Sequence, residues 1–146
     1  YRGTAYPAGE SYSYDYGKTW TKGKRSYLKA GYSLSTFHKT ESGKILFVSN
    51  DEAKRDKLCV YILDNNGKTF AVRAKLCLDP RPAGPINNVG AAYPSVSERD
   101  GKIYIVWDYD RNVVGCVTMA IVTEQRIYEG GCLREDELIF INQIPQ

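Results

Sequence analysis

Histidine is almost missing from this chain. His38 stands alone, and the four cysteines, at 59, 77, 116 and 132, are scattered with no Cys-x-x-Cys pair. A structural zinc site draws its ligands from clustered Cys and His, so no metal is expected. A single imidazole also excludes most Ser-His-Asp and Cys-His schemes, and neither a Gly-x-Ser-x-Gly turn nor a glycine-rich phosphate loop is present. No cofactor is expected. Basic residues are nowhere denser than in Lys22-Gly23-Lys24-Arg25, and 20 Lys+Arg against 17 Asp+Glu leave a net charge of +3. That is too little to predict a nucleic-acid partner. Long hydrophobic runs are lacking as well: residues 113–122 are interrupted by Gly115, Cys116 and Thr118 and fall well short of the roughly 20 residues of a membrane helix. No membrane span is expected. The sequence opens on Tyr1-Arg2-Gly3 without an initiator Met or a signal peptide, and is read as a fragment of a longer protein.

What is present is β-forming sequence. Ile45-Leu46-Phe47-Val48, Leu58-Cys59-Val60-Tyr61-Ile62, Ile103-Tyr104-Ile105-Val106-Trp107 and Val117-Thr118-Met119-Ala120-Ile121-Val122 are strand-length runs punctuated by Gly, Asp and Asn. One short helix is predicted after Thr123, which caps Glu124 to Tyr128 before Gly130 stops it. Cys59 and Cys77 flank a turn and fit either a cross-hairpin bridge or buried free thiols.

Two elements repeat. A turn-Gly-Lys-Ile-x-x-Val pattern occurs at Gly43 to Val48 and again, 58 residues later, at Gly101 to Val106. Ser13-Tyr14-Asp15-Tyr16-Gly17-Lys18-Thr19-Trp20 has a weaker partner 50 residues on, in Leu63-Asp64-Asn65-Asn66-Gly67-Lys68-Thr69-Phe70. Recurrence at this spacing, with short strands between, is how propeller blades look in sequence. Within the first copy, Asp15 accepts backbone N–H groups of its own turn, Gly17 supplies a positive φ, Thr19 ties its hydroxyl back and Trp20 plugs the turn from beneath. In the second copy Asn65, Gly67, Thr69 and Phe70 take the same places with weaker pinning. These are structural roles, not chemistry.

Ser13-x-Asp15-x-Gly17-x-Thr19-Trp20 is a complete Asp-box, or BNR repeat, and the chain resembles the sialidase (neuraminidase) superfamily. Arg2 stands eleven residues before Ser13 and Arg55 eight before Leu63, and Tyr93 precedes the Asp100-Gly101 hairpin. Those are the offsets at which that superfamily places two substrate arginines and its nucleophilic Tyr. The stretches Ser42 to Asn50, Arg55 to Leu58, Tyr93 to Val96 and Trp107 to Arg111 are similar to the C-terminal half of sialidase-like proteins of gut bacteria. The resemblance implies an all-β fold of four-stranded antiparallel blades from a six-bladed propeller. Residues 1–146 would supply its C-terminal part, about 2.5 to 3 blades, with the N-terminal blades of the same chain missing. It also implies a secreted, periplasmic or cell-surface location. Pro94, where sialidases usually carry Ser, and the degenerate second box are departures that leave the sugar open.

The implied activity is exo-hydrolysis of terminal sialic acid, or a related sugar, from a glycan. A guanidinium matches the carboxylate of such a sugar through two parallel charge-assisted bonds, the part given to Arg2 and Arg55. A neutral Tyr escapes the repulsion an ionised carboxylate nucleophile would meet, and sialidases use one. Free Tyr titrates near about 10, so a base must assist; none of Glu10, Glu41 and Glu98 occupies the family's position for it. On residue type alone Tyr93 is a packing residue at a strand start, and Arg2 and Arg55 are solvated surface arginines. It is the three offsets together that carry the functional reading. His38 is read as structural, and Arg111 with Asp108 and Asp110 as a surface ion-pair network. The alternative function is a non-catalytic Asp-box propeller that binds carbohydrate or protein.

Overall fold

The computed structural model describes residues 8–31, 33–52, 55–65, 70–82, 90–111 and 115–141. A short ribbon pairs β1 (Gly9–Glu10) with β2 (Lys24–Arg25) and carries the first Asp-box turn between them. Two four-stranded sheets follow. One runs through β3 (Thr36–Lys39), β4 (Ile45–Asn50), β5 (Leu58–Asn65) and β6 (Phe70–Asp79). The other runs through β7 (Ala91–Arg99), β8 (Lys102–Tyr109), β9 (Cys116–Val122) and β10 (Leu138–Ile141). Each strand lies antiparallel beside its sequence neighbour, so both sheets are meanders of the kind from which propeller blades are made. The all-β expectation holds.

The turns follow their residues. Asp100 (φ 52°) and Gly101 (φ 70°) both adopt the left-handed conformation of a two-residue hairpin, closing Arg99 onto Lys102. The Ser42-Gly43 turn is closed by Thr40 N–H donating to the Lys44 carbonyl at 2.9 Å. The predicted helix forms as α1 (Glu124–Glu129): the Thr123 hydroxyl accepts the Arg126 N–H at 3.2 Å, and Gly130 ends it.

Packing explains why the strands of the two sheets read differently. In β4 and β5, Leu46, Val48, Leu58, Val60 and Ile62 point into one apolar cluster, while Phe47, Cys59, Tyr61 and Leu63 point into another on the opposite face. Both faces of the first sheet are buried, so its strands read as continuous apolar runs. In β8 Ile103, Ile105 and Trp107 turn inward, with Tyr109 packed against the same cluster, and Tyr104, Val106 and Asp108 alternate with them on a half-exposed face. The shared cluster lies between the sheets, where β3 and β4 run against β7 and α1 packs on β5 and β6. Fully burying each Leu, Ile or Val there contributes about 1.5–3 kcal/mol.

Two polar ties cross the same interface. Asp79, at the end of β6, is fully buried. It accepts the Trp107 indole N–H at 2.8 Å from the second sheet, and the Arg81 guanidinium through Nε at 2.9 Å and Nη2 at 2.6 Å. Arg81 in turn stacks on Tyr109, 3.7 Å from its ring centroid. At the other tie Glu124, in the first turn of α1, accepts the hydroxyls of Thr40 (2.7 Å) and Ser42 from the β3–β4 hairpin.

Candidate functional site

Two of the three residues singled out by their spacing meet in space. Arg55 lies in the loop between β4 and β5, and Tyr93 lies on β7. The loop is anchored by Asn50, fully buried, whose amide donates to the Ala91 carbonyl at 2.8 Å and to the Asp56 carbonyl at 3.3 Å. That amide ties the root of the Arg55 loop to the strand bearing Tyr93. The register of β7 against β8 shifts between Ala92 and Ser95, and Tyr93 sits at this bulge with φ 54°. A bulky aromatic residue in the left-handed region is strained, and such strain re-aims a side chain out of the regular alternation. The Tyr93 N–H, freed from the ladder, donates to the Ser33 hydroxyl at 3.2 Å.

The phenol is flanked by cations. Arg55 Nη2 donates to the Tyr93 hydroxyl at 3.4 Å, and its guanidinium lies 5.2 Å from the ring centroid. Arg111, just past the end of β8, lies closer still, 4.1 Å from the same centroid, and is held by Asp108 Oδ2 at 2.9 Å. Burial pushes the Asp108 carboxyl above its ordinary range, against the pull of Arg111 and then Arg55. Asp108 Oδ1 is buried without a hydrogen-bond partner among the described residues. Two guanidinium groups beside one phenol put positive charge at its hydroxyl and over its ring, a setting that suits an anionic ligand.

Arg111 is the residue whose neighbour sequence reasoning missed. The expected ion pair with Asp108 forms, with Arg111 exposed and Asp108 half-buried, but the guanidinium also lies on the Tyr93 ring, and Asp110 is buried rather than part of that surface pair. The hairpin itself held the missed signal: Tyr93 and Asp108 each lie seven residues out from the Asp100-Gly101 turn. The next few residues after Asp108 therefore had to come past Tyr93. Glu10 and Glu98 are engaged elsewhere, with Lys24 at 3.3 Å and with His38 at 3.5 Å. Glu98 also accepts the Glu41 N–H at 2.8 Å, so His38 sits in a strand-to-strand contact.

The Asp-box turn is pinned as its residues suggest. Asp15 Oδ1 accepts the Thr19 N–H (2.9 Å) and the Ser13 hydroxyl (2.9 Å), Oδ2 accepts the Thr19 hydroxyl (2.6 Å), and Ser13 Oγ accepts the Gly17 N–H (2.7 Å). Gly17 takes φ 86°. The hydroxyl and N–H of Thr19 hold the Asp15 carboxyl down at about 2. Trp20 departs from the expected plug: it is 64% exposed, lies over Gly17 and donates its indole N–H to the Gly17 carbonyl at 3.1 Å. Among the described residues the turn rises from a ribbon only two residues deep, with no sheet layer beneath for the indole to enter. In the second copy Phe70 packs on the Phe47 cluster, with its ring 5.8 Å from Phe37. Gly67, Thr69 and the Asn65 side chain lie outside the described residues, as does Arg2. That second turn joins the end of β5 to β6, while Arg55 precedes the start of β5. The candidate site and the degenerate box are therefore at opposite ends of an eight-residue strand.

Among the described residues no group of three His, Cys, Asp or Glu is placed to hold a metal, and no helix is long and apolar enough to cross a membrane. Nothing among curated proteins and nothing among solved structures matches the chain. Residues 1–105 do match the BNR repeat-like domain, a span that includes the Asp-box, Arg55 and Tyr93. The chain thus belongs to the BNR repeat-like domain family, within the sialidase/BNR superfamily.

Proposed function

We propose that this chain forms part of a retaining exo-glycosidase of sialidase type, acting on terminal sialic acid or a related sugar of a glycoconjugate outside the cytoplasm. Its two sheets are read as neighbouring blades of a six-bladed propeller, with residues 1–146 the C-terminal portion. The observation that carries the reading is the meeting of Arg55 with the hydroxyl of Tyr93 at a strained bulge. In the first step the Tyr93 oxygen attacks the anomeric carbon, a carboxylate base takes the phenol proton, and the aglycone departs with a proton from an acid. Water then attacks the sugar–tyrosine bond in the second step and restores the phenol. Arg55, together with Arg2, grips the substrate carboxylate through parallel hydrogen bonds. Arg111, held by Asp108, adds positive charge beside the attacking ring.

The test compares wild type and Arg55→Lys, in the full-length protein, on an aryl sialoside and on a neutral aryl glycoside. An ammonium keeps the charge but not the planar fork, so sialoside turnover falls by the equivalent of about 2–5 kcal/mol. Turnover of the neutral sugar alone, unaffected by the change, refutes the acidic-substrate reading. Glycan binding without turnover of either substrate favours the non-catalytic propeller.

A further inference from the structure

Three of the four cysteines line up across neighbouring strands. Cys59 on β5 and Cys77 on β6 are register partners, and Cys132 forms a parallel bridge with Cys77 from the other side. The Cys77 backbone is spent on that other side: its N–H donates to the Gly131 carbonyl at 2.9 Å, and its carbonyl accepts the Leu133 N–H at 2.8 Å. Toward β5, Cys77 therefore faces Cys59 as a non-hydrogen-bonded antiparallel pair, beside a register shift between Leu58 and Cys59; regular pairs of this kind hold their Cα atoms only about 4.5 Å apart. Strands in a parallel bridge lie about 4.8 Å apart. Both separations fall inside the window of roughly 4.4–6.8 Å that a disulfide spans. Register partners project to the same face in either arrangement, so the three thiols form a row with Cys77 in the middle.

The surroundings differ along the row. Cys59 and Cys77 are buried, whereas Cys132 is exposed. A cavity of about 400 Å³ reaches all three, and Lys57 and Lys75 stand on its wall. Contact with the Cys59 thiol, followed by burial, pushes the Cys77 thiol well above its usual range. The Cys132 thiol is raised by burial and by Cys77, against the pull of Lys75 and Lys57. Cys116, the fourth, is buried on β9 beside Thr118, at 3.7 Å.

We propose that Cys132, Cys77 and Cys59 form a thiol–disulfide relay, with Cys132 as the entry point for a small-molecule disulfide and Cys77 as the shared central partner. The Cys132 thiolate attacks one sulfur of the small disulfide, forming a mixed disulfide and expelling one thiolate. Cys77, its proton passing to the thiolate just expelled, then attacks the Cys132 sulfur and expels the second thiolate, which takes up the proton that Cys132 lost to solvent. Two protein thiols are oxidised to one protein disulfide, and the small disulfide is reduced to two thiols. The third step is internal: Cys59 attacks the Cys77 sulfur, the Cys59–Cys77 bond forms as the Cys77–Cys132 bond breaks, and the proton lost by Cys59 ends on Cys132, released as a thiol. The exposed thiol thus takes up oxidation and the buried pair stores it.

The folded chain, exposed to excess oxidised glutathione at mildly alkaline pH, is quenched with an alkylating agent and mapped by peptide mass spectrometry. The relay requires Cys77–Cys132 first and Cys59–Cys77 later, with Cys116 alkylated throughout. Cys132→Ser slows formation of the Cys59–Cys77 bond at least tenfold, and this exposed change leaves the fold intact by circular dichroism. Cys77→Ser leaves glutathione attached at Cys132 without resolution. The wild-type map alone is decisive if that variant does not fold. Persistent glutathione on Cys132 of the wild type, a Cys59–Cys77 bond that forms equally fast without Cys132, or bridges to Cys116 would each overturn the proposal.

Discussion

Asp79 ties the two sheets together through a buried carboxylate, and Asp79→Ala measures what that tie contributes. The carboxylate is fully buried and accepts four hydrogen bonds: the Trp107 indole, Arg81 Nε and Nη2, and the Arg81 backbone N–H at 3.1 Å. Removing it strands the buried indole N–H, which costs about 1–3 kcal/mol. It also leaves a guanidinium without its counter-charge, and breaking a buried pair from one side costs about 3–5 kcal/mol in all. The Arg81 side chain keeps 31% exposure and its contact with Tyr109. Water therefore recovers part of its charge, and the total belongs at the lower end, about 3 kcal/mol. Urea unfolding followed by circular dichroism reads this as a drop in midpoint at unchanged slope. Trp107→Phe removes the stranded donor, so the double variant loses less than the sum of the two singles. A loss under about 1 kcal/mol, or strict additivity with Trp107→Phe, refutes the argument.

Asp15 gives a pH dependence with a definite sign. Its carboxyl is held down at about 2 from an ordinary 3.8 by Thr19, so the turn's stabilisation is complete above 3.8 and is lost as pH falls through 3.8 toward 2. The Thr19 amide resonance, followed by NMR, titrates with a midpoint near that lowered value; a midpoint at the ordinary carboxylate value contradicts the pinned turn. Thr123→Ala removes the hydroxyl that accepts the Arg126 N–H and lowers stability by about 1 kcal/mol. Denaturant midpoints that do not move would show that α1 is held by Ile127 packing alone.

Turn chemistry made the fold legible before any packing was considered. Asp100-Gly101, the Ser42-Gly43 turn and the Thr123 cap each act within a few residues of themselves, and each forms as its residues dictate. The Asp-box was legible for the same reason, apart from Trp20, whose burial depends on what lies under the turn. What could not be read is what depends on the facing of one sheet against another. The Asp79–Trp107 bond joins residues 28 apart in sequence, on different sheets, and no local pattern announces it. Within the site, the offsets of Arg55 and Tyr93 were visible because each is fixed relative to a nearby turn. Counting out from the Asp100-Gly101 turn brings the chain after Asp108 past Tyr93, and Pro94 inside β7 hints at the bulge there, but neither says that the Arg111 side chain turns onto the Tyr93 ring. The row of Cys59, Cys77 and Cys132 was half visible: the hairpin pairs the first two, while Cys132 returns to β6 only after the helix and its Gly130-Gly131 stop.

Tyr93 is proposed as the group that attacks the sugar, and Tyr93→Phe in the full-length protein is the decisive variant. The substitution keeps the ring between Arg55 and Arg111 and removes only the hydroxyl oxygen. Steady-state kinetics on an aryl sialoside should show kcat reduced by at least a thousandfold, on the order of 4 kcal/mol of transition-state stabilisation, with substrate binding within a few-fold of wild type. Near-normal turnover in that variant removes Tyr93 from the chemistry and refutes its assignment as nucleophile.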